Sequence, residues 1–243
     1  MHHSAKLRRA TLAASLVLVA VAEAAVAGPF EDGIAAAERG DNATALRLLR
    51  PLADQGNAIA QYNLGFIYLN GLGVPQDFAE AARWYRKAAE QGVAKAQYLL
   101  GILYDGGMGV QPDFVEALKW ISKAADQGDS DAQDNLAELY AKGYRVPQDY
   151  AEAVKWRRRA ADQGNANAQY YLGRMYAKGE GVPQDYVQAH MWLNLAASRY
   201  PASRKEVRDR AAKGRDLVAA EMTPEQIAEA QRLAAEWKPK PGR

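Results

Sequence analysis

The side chains that could perform nucleophilic catalysis are few, and their spacing does not suit it. Beyond the first 27 residues the serines are Ser122, Ser130, Ser198 and Ser203, and none is followed three residues later by the Lys of a Ser-x-x-Lys motif. The chain has no Cys, which excludes a cysteine nucleophile, a disulfide framework and a thiolate metal site. We therefore predict that the protein is not an enzyme and has no catalytic residues.

The histidine and carboxylate positions favour structural roles as well. His190 lies among apolar neighbours, which favours a packed or solvated side chain over a general base. Asp131 and Asp134 could share a proton as paired carboxylates, but carboxylates one turn apart on a helix surface are more often solvated. Because the sequence has no His/Cys cluster and no acidic loop with the spacing of a calcium site, we expect no metal and no cofactor.

The N-terminal segment, residues 1–27, has the pattern of a secretory signal peptide. Arg8 and Arg9 precede an uncharged run from Ala10 to Ala22, and Ala25-Val26-Ala27 supplies the small residues of a cleavage site. The run is shorter than the roughly 20 residues of a membrane-spanning helix, which disfavours a retained anchor. Thr11 disfavours a twin-arginine signal. We expect cleavage after this segment, no membrane span in the mature chain, and a periplasmic or extracellular location.

The charge balance argues against a nucleic-acid partner. Cleavage would remove three basic side chains and one acidic one, so the formal net charge of +2 would fall to zero. Nucleic-acid-binding proteins cluster Lys and Arg against phosphates, whereas charges of both signs are interspersed here. The single basic run, Arg157-Arg158-Arg159, is typical of a solvated helix face.

A 36-residue repeat organises the rest of the chain. Gln-Gly pairs recur at this spacing and end at Gly56, Gly92, Gly128 and Gly164. The full repeats that follow them are 57–92, 93–128, 129–164 and 165–200. Such a period indicates a tandem array in which neighbouring repeats bury shared apolar faces. We expect residues 28–56 to form an N-terminal capping hairpin and residues 201–243 to form C-terminal capping helices.

Each repeat predicts two antiparallel helices. In the first repeat Ala60, Leu64 and Tyr68 lie along one face of a first helix. The second helix starts at Asp77, and Glu80 three residues later completes the pattern of a capping box. The equivalent aromatic residues of all repeats are predicted to lie in the core: Trp84, Trp120, Trp156, Trp192, Tyr68, Tyr104, Tyr140 and Tyr176. Gly65, in the middle of the first helix, indicates close approach by a neighbouring helix.

The sequence AQYNLGFIYLNGLGVPQDFAEAARWYRKAAEQG, from Ala60 to Gly92, resembles the Sel1-like repeat, a relative of the tetratricopeptide repeat. The resemblance covers residues 57–200, and residues 28–56 resemble a shorter tetratricopeptide-type cap. Arg145 departs from the pattern because it replaces the second loop glycine, so the local turn there is expected to differ. The resemblance implies an all-α fold, a right-handed α-solenoid of antiparallel helix pairs.

The same resemblance implies a non-catalytic scaffold or adaptor that binds a protein or peptide partner, and we expect a monomer. Two other functions remain open. One is a purely structural spacer of the cell envelope. The other is an enzyme like the disulfide-rich secreted relatives that bind or hydrolyse β-lactams.

The resemblance also indicates where a partner would bind. In tetratricopeptide-type stacking the first helices line a concave groove, and their outward positions vary between repeats. These positions change from apolar and aromatic to acidic and then basic along the chain: Ile59, Tyr62, Phe66, Leu69, Lys95, Tyr98, Ile102, Asp131, Asp134, Glu138, Tyr170, Arg174 and Lys178. Since buried aromatic anchors supply much of the binding energy at interfaces, we predict that this groove docks an extended or helical peptide.

Overall fold

The structure is a computed structural model, and it describes residues 28–241. The predicted signal peptide, residues 1–27, lies outside the described residues. Within 28–241 the fold is all-α, with twelve α-helices, one 3-10 helix and no strand. The α-helices are α1 (Pro29–Glu38), α2 (Asn42–Asp54), α3 (Ala58–Asn70), α4 (Phe78–Glu90), α5 (Ala94–Gly106), α6 (Phe114–Asp126), α7 (Ser130–Lys142), α8 (Tyr150–Asp162), α9 (Ala166–Lys178), α10 (Tyr186–Arg199), α11 (Lys205–Ala219) and α12 (Pro224–Glu236).

The helices form two compact units, and the division falls inside α6 between Ala117 and Leu118. In the first unit each helix from α1 to α4 packs on the next one. In the second unit the same holds from α7 to α10, and α10 also packs against both α11 and α12. Consecutive paired helices of this kind confirm the predicted all-α, α-solenoid fold class. None of the described helices is long and apolar enough to cross a membrane.

Small and large apolar side chains alternate in the core of each unit. Ala60 and Leu64 of α3 are fully buried, as are their counterparts Ala168 and Leu172 of α9. The four repeated tryptophans are buried too, as predicted: Trp84, Trp120, Trp156 and Trp192. Small residues let the helices approach closely, and the indole rings fill the space between them.

The prediction for the repeated tyrosines is correct only for Tyr176. The other three, Tyr68, Tyr104 and Tyr140, are only partly buried. The hydroxyl of Tyr68 accepts a hydrogen bond from Nη1 of Arg50 at 3.3 Å, and the Tyr104 hydroxyl accepts one from Arg86. The core prediction was wrong here because a tyrosine ring can pack against the core while its hydroxyl reaches the surface.

The second helices begin at aspartate caps, but the predicted capping box of the first repeat is not formed. Oδ1 of Asp77 accepts from the backbone N–H groups of Ala79 and Glu80, both at 2.9 Å. The Glu80 carboxylate does not return to the cap. Its Oε1 accepts from the indole Nε1 of Trp84 at 2.8 Å, because one helical turn places the two side chains together.

The loop of the third repeat keeps the conformation of its counterparts although it lacks their glycine. Arg145 adopts a φ of 59°, and the equivalent Gly73, Gly109 and Gly181 adopt 72°, 70° and 75°. The expectation that this turn would differ was therefore wrong. A residue with a Cβ atom is sterically strained in this left-handed region. Arg145 keeps this conformation because the surrounding structure determines the path of the loop.

Gly65 confirms the predicted close approach between helices. A Cβ atom at this position would lie 2.6 Å from the ring of Tyr85, which is fully buried on α4. Only a glycine leaves room for the ring at this distance.

Buried glutamines at equivalent positions join successive helix pairs, and they were not among the residues predicted to be important. Each donates from Nε2 to a backbone carbonyl eight residues earlier, at 3.0 to 3.1 Å. They are Gln61, Gln97, Gln133 and Gln169. The signal was an identical polar residue in an apolar stretch of every repeat, and burial of a primary amide requires such partners.

Candidate partner-binding surface

The predicted binding residues of α3, the first helix of the first repeat, are only partly accessible. Ile59 and Phe66 of α3 are half-buried and reach the surface. Tyr62 and Leu69 are only 3% and 5% exposed, so the assignment of these two to a binding surface is corrected. The Tyr62 ring packs against Tyr85 of α4 with centroids 5.9 Å apart, because the paired helix covers this side of α3.

The second set of predicted residues lies on α5. Lys95, Tyr98 and Ile102 are half-buried and keep part of their surface in solvent. The ammonium Nζ of Lys95 lies 5.6 Å from the centroid of the Tyr98 ring, within the range of a cation–π contact. This helix offers apolar, aromatic and basic groups together.

In the second unit most of the predicted residues are accessible and charged. Asp131 is exposed and accepts from Nδ2 of Asn165 at 3.0 Å. Arg174 and Lys178 of α9 are exposed, and Glu138 of α7 is half-buried. Tyr170 is 7% exposed and belongs to the core, so it too is withdrawn from the predicted surface.

Asp134 and Arg157 form a largely buried ion pair. Nε of Arg157 lies 3.3 Å from Oδ1 of Asp134, and the two side chains are 5% and 14% exposed. The expectation that Asp134 is solvated on the predicted surface was wrong, as was the interpretation of Arg157 as part of a solvated basic face, although Arg158 and Arg159 are exposed. Arg157 projects between α7 and α9, where its Nη1 also lies 3.4 Å from Sδ of Met175.

Burial controls the ionisation of this pair. Desolvation raises the pKa of Asp134 to about 6, even though the Arg157 charge and its hydrogen bond oppose that shift. The negative charges of Glu138 and Asp131 add to the rise in the Asp134 pKa. The carboxylate therefore titrates much closer to neutrality than an aspartate in water.

A shallow depression of about 190 Å³ opens beside this ion pair, entirely within the second unit. It is lined by side chains of α7, α8 and α9 and of the loop that follows α9: Glu138, Ala141, Lys142, Tyr150, Arg157, Tyr171, Arg174, Met175 and Glu180. The guanidinium carbons of Arg157 and Arg174 lie 4.7 Å and 5.9 Å from the centroid of the same Tyr171 ring. The Tyr171 ring therefore lies within cation–π distance of both guanidinium groups.

Glu138 and Arg174 were predicted from the sequence as binding residues, but Arg157 and Tyr171 were not. The sequence does contain one indication of the contact between Asp134 and Arg157. Asp134 and Arg157 stand at the repeat positions of Tyr62 and Tyr85, so two opposite charges replace an aromatic pair. A paired change of this kind, with opposite charges at the two positions, indicates that the positions are in contact.

The histidine considered for acid–base chemistry lies in the core. His190 is 3% exposed on α10, and its Nδ1 has no hydrogen-bond partner among the described residues. Desolvation lowers the pKa of His190, which favours the neutral imidazole. Across residues 28–241 no group of His, Asp and Glu side chains is arranged to hold a metal ion.

Comparison with known proteins finds Sel1 repeats along the chain. The sequence model of the Sel1 repeat matches residues 20–57, 58–93, 94–129, 130–165 and 166–200, which adds one match upstream of the four repeats read from the sequence. The crystal structure of a Sel1 repeat protein from Oxalobacter formigenes is similar, with 29% identity and a TM-score of 0.64, covering 85% of this chain and 98% of that one. No curated protein matches the sequence.

A second solved structure is that of a protective antigen present in uropathogenic Escherichia coli strains, which displays an SLR fold. It is 31% identical to this chain with a TM-score of 0.51, and the match covers 80% of this chain. The chain spans 48% of the length of that antigen.

Proposed function

The chain belongs to the Sel1 repeat family, and we propose from this that it is an exported scaffold that binds a protein or peptide partner through its first helices. Sel1 repeat proteins are generally non-catalytic scaffolds for protein–protein interaction. In this protein the binding surface consists of the accessible side chains of α3 and α5 in the first unit and of α7 and α9 in the second.

The proposal depends on one observation. One position of the repeat remains accessible in all four repeats, although the residue there changes from apolar to acidic to basic. This position holds Phe66, Ile102, Glu138 and Arg174. The core positions two residues earlier keep the same residue type, with Leu in every repeat, and all four are buried. A constant core under a variable surface is what a binding scaffold requires, because packing needs uniformity and recognition needs specific chemistry.

Binding is tested by selecting peptides from a phage-displayed random library against the full chain and measuring their dissociation constants by fluorescence anisotropy. Two double variants test the surface, one in each unit: Phe66→Ser with Ile102→Ser, and Glu138→Ser with Arg174→Ser. We expect at least one of them to weaken the selected peptides tenfold or more. Circular dichroism melts check that each variant remains folded.

The matched control removes exposed apolar side chains elsewhere. Val115 on α6 is 76% exposed and Leu217 on α11 is 64% exposed, and neither lies on a first helix. Val115→Ser with Leu217→Ser should leave the peptide affinities unchanged. Failure to enrich any peptide, or an equal loss in the control, would refute the scaffold proposal.

Export rests on the sequence pattern of residues 1–27, and it has its own test. When the full chain is produced in a bacterium with a secretory pathway, the exported product should start at Gly28, as read by intact mass and N-terminal sequencing. A product retained in the cytoplasm with residues 1–27 intact would contradict export without affecting the scaffold proposal.

A further inference from the structure

The depression beside Arg157 contains one positive charge that the described residues do not neutralise. Arg157 pairs with Asp134, Lys142 pairs with Glu138, and Lys178 pairs with Glu180 at 3.2 Å. Arg174 has no carboxylate within ion-pair distance among residues 28–241, and its guanidinium lies 5.7 Å and 5.9 Å from the ring centroids of Tyr170 and Tyr171.

The buried arginine also has donors left over. Nε of Arg157 donates to Asp134, and Nη1 has only the thioether sulfur of Met175, a weak acceptor. Within the part of the chain that the structure describes, Nη2 of Arg157 has no acceptor. Because Arg157 lines the depression, an acceptor placed there could complete its hydrogen bonding.

We propose that this depression binds a peptide carboxylate, held by the Arg174 guanidinium and by Nη2 of Arg157. The proposal rests on the scaffold function above and names the chemistry of the partner at this place. The planar guanidinium of Arg174 presents paired N–H donors that match a carboxylate, and the Tyr171 ring orients it. Because Arg157 is buried, its bond to a carboxylate is stronger than a fully solvated one.

The charge balance selects a monoanion. With the three ion pairs intact, the site has one uncompensated positive charge, and the carboxylates of Glu138 and Glu180 line its wall. One incoming carboxylate neutralises the site, whereas a dianionic phosphate would leave excess negative charge beside two fixed carboxylates. A glutamate or aspartate side chain and a C-terminal carboxylate share this chemistry.

The test measures binding of short peptides to the full chain from changes in backbone amide chemical shifts. The probes are acetyl-Gly-Gly-Tyr-Glu-Gly-Gly-amide, the same peptide with Gln or phosphoserine in place of Glu, and acetyl-Gly-Gly-Tyr-Gly-Gly with a free C-terminus. We expect at least one of the two carboxylate peptides to bind tenfold or more tightly than the Gln peptide. The arm that does so identifies the source of the carboxylate.

Two variants locate the site. Arg174→Gln should reduce the affinity of the carboxylate peptide to that of the Gln peptide. Arg158→Gln, which removes an exposed arginine of α8 outside the depression, should leave it unchanged. Equal binding of both carboxylate peptides and the Gln peptide, no effect of Arg174→Gln, or tenfold tighter binding of the phosphoserine peptide would overturn the proposal.

Failure here is distinguishable from failure of the scaffold function. If library-selected peptides bind and depend on Phe66 and Ile102 while no carboxylate peptide depends on Arg174, the scaffold proposal stands and the carboxylate site does not. If no selected peptide binds either unit, the scaffold proposal itself fails.

Discussion

Arg157 donates from Nε to Oδ1 of Asp134 at 3.3 Å, and these two residues occupy the repeat positions that Tyr85 and Tyr62 hold in the first repeat. The aromatic pair fills a core with centroids 5.9 Å apart, whereas the ion pair brings two charges into the second unit. The same backbone plan therefore supports an apolar contact in one repeat and an electrostatic one in another. The polar version has consequences for stability, pH dependence and binding.

Removing Arg157 should strongly destabilise the second unit. Arg157→Ala leaves Asp134 buried without its counter-ion, so we expect a loss of about 3–5 kcal/mol in the free energy of unfolding. Urea titration followed by circular dichroism measures it. The double variant Asp134→Ala with Arg157→Ala should lose less than Arg157→Ala alone, since no unpaired charge remains. A loss below about 1 kcal/mol, the level of exposed pairs, would show that the pair is solvated.

The pH dependence of stability should contain a contribution from Asp134. Because the folded-state pKa is raised to about 6 from 3.8, the folded state binds this proton more tightly than the unfolded state does. The resulting stabilisation is complete at pH values below the unfolded pKa and is lost as the pH rises towards about 6. Stability of the wild type relative to Asp134→Asn should therefore fall between pH 4 and 6.5, as measured by urea titrations across this range.

An exposed aspartate that is not among the charges acting on Asp134 provides the control for that experiment. Asp126→Asn removes an exposed carboxyl of α6 and leaves the buried pair intact, so this variant should keep the wild-type pH dependence. If Asp134→Asn and the wild type differ by the same amount at every pH, the Asp134 carboxyl is not desolvated in the folded protein.

The buried glutamines should contribute to the coupling between helix pairs. Gln133 is 1% exposed, donates to the carbonyl of Ala125 at 3.0 Å and accepts from Nε2 of Gln163 at 2.8 Å. Gln133→Leu removes both bonds and leaves the Gln163 amide without this partner, so we expect a loss of about 1–3 kcal/mol. Thermal or urea unfolding provides the measurement.

Gln169 is the natural comparison. Its Nε2 donates to the carbonyl of Ala161 at 3.1 Å, but its Oε1 has no partner in the described structure because Arg199 stands where the earlier repeats have the donor glutamine. Gln169→Leu should therefore destabilise less than Gln133→Leu. The reverse order would show that the hydrogen bond from Gln163 to Gln133 contributes little to stability.

Much of the fold could be predicted from the sequence because the determinants recur every 36 residues. Ala60 and Leu64 define a helix face, Asp77 starts a helix, and the equivalent residues do the same in later repeats. Gly65 even indicated the close contact that Tyr85 makes. Each of these inferences used only local sequence patterns, namely helical periodicity, a helix cap and a helical glycine.

The surface was harder to predict because side-chain direction depends on which helices cover a position. Helical periodicity assigned Tyr62 and Tyr170 to an outward face, but the contacts of the paired helices bury them. The basic run misled in the opposite way, since one helical register turns Arg157 inward and leaves Arg158 outside. Local sequence patterns do not contain long-range contacts of this kind. The one indication in the sequence is that Asp134 and Arg157 replace Tyr62 and Tyr85 at equivalent repeat positions.

The strained loop of the third repeat offers a stabilising substitution. Arg145 has a φ of 59°, a conformation that disfavours residues with a Cβ atom. Arg145→Gly should raise the free energy of unfolding by about 1 kcal/mol, because glycine relieves this strain. Arg145→Ala removes the same long side chain but keeps the strain, so it should not stabilise. Equal effects of the two variants in urea titrations would assign the change to the side chain instead.

The sign of the stability change caused by Gly65→Ala tests how closely α3 and α4 pack. Replacing glycine with alanine inside a helix usually stabilises by about 1 kcal/mol through helix propensity. At Gly65 the new Cβ would lie 2.6 Å from the ring of Tyr85, which is fully buried, so the packing around the ring must shift to admit the methyl group. Gly65→Ala should therefore destabilise the first unit by about 1–3 kcal/mol, the usual range for overpacking.

A second helical glycine supplies the matched control. A Cβ at Gly214 of α11 would lie 3.5 Å from the nearest side-chain atom, in Leu193, which is an ordinary contact. Gly214→Ala should therefore raise the free energy of unfolding by about 1 kcal/mol, opposite in sign to Gly65→Ala. Both changes are measured by thermal unfolding under the same conditions. If both variants are stabilised, α3 and α4 are further apart than the contact between Gly65 and Tyr85 requires, and the tight helix pair at the start of the array is ruled out.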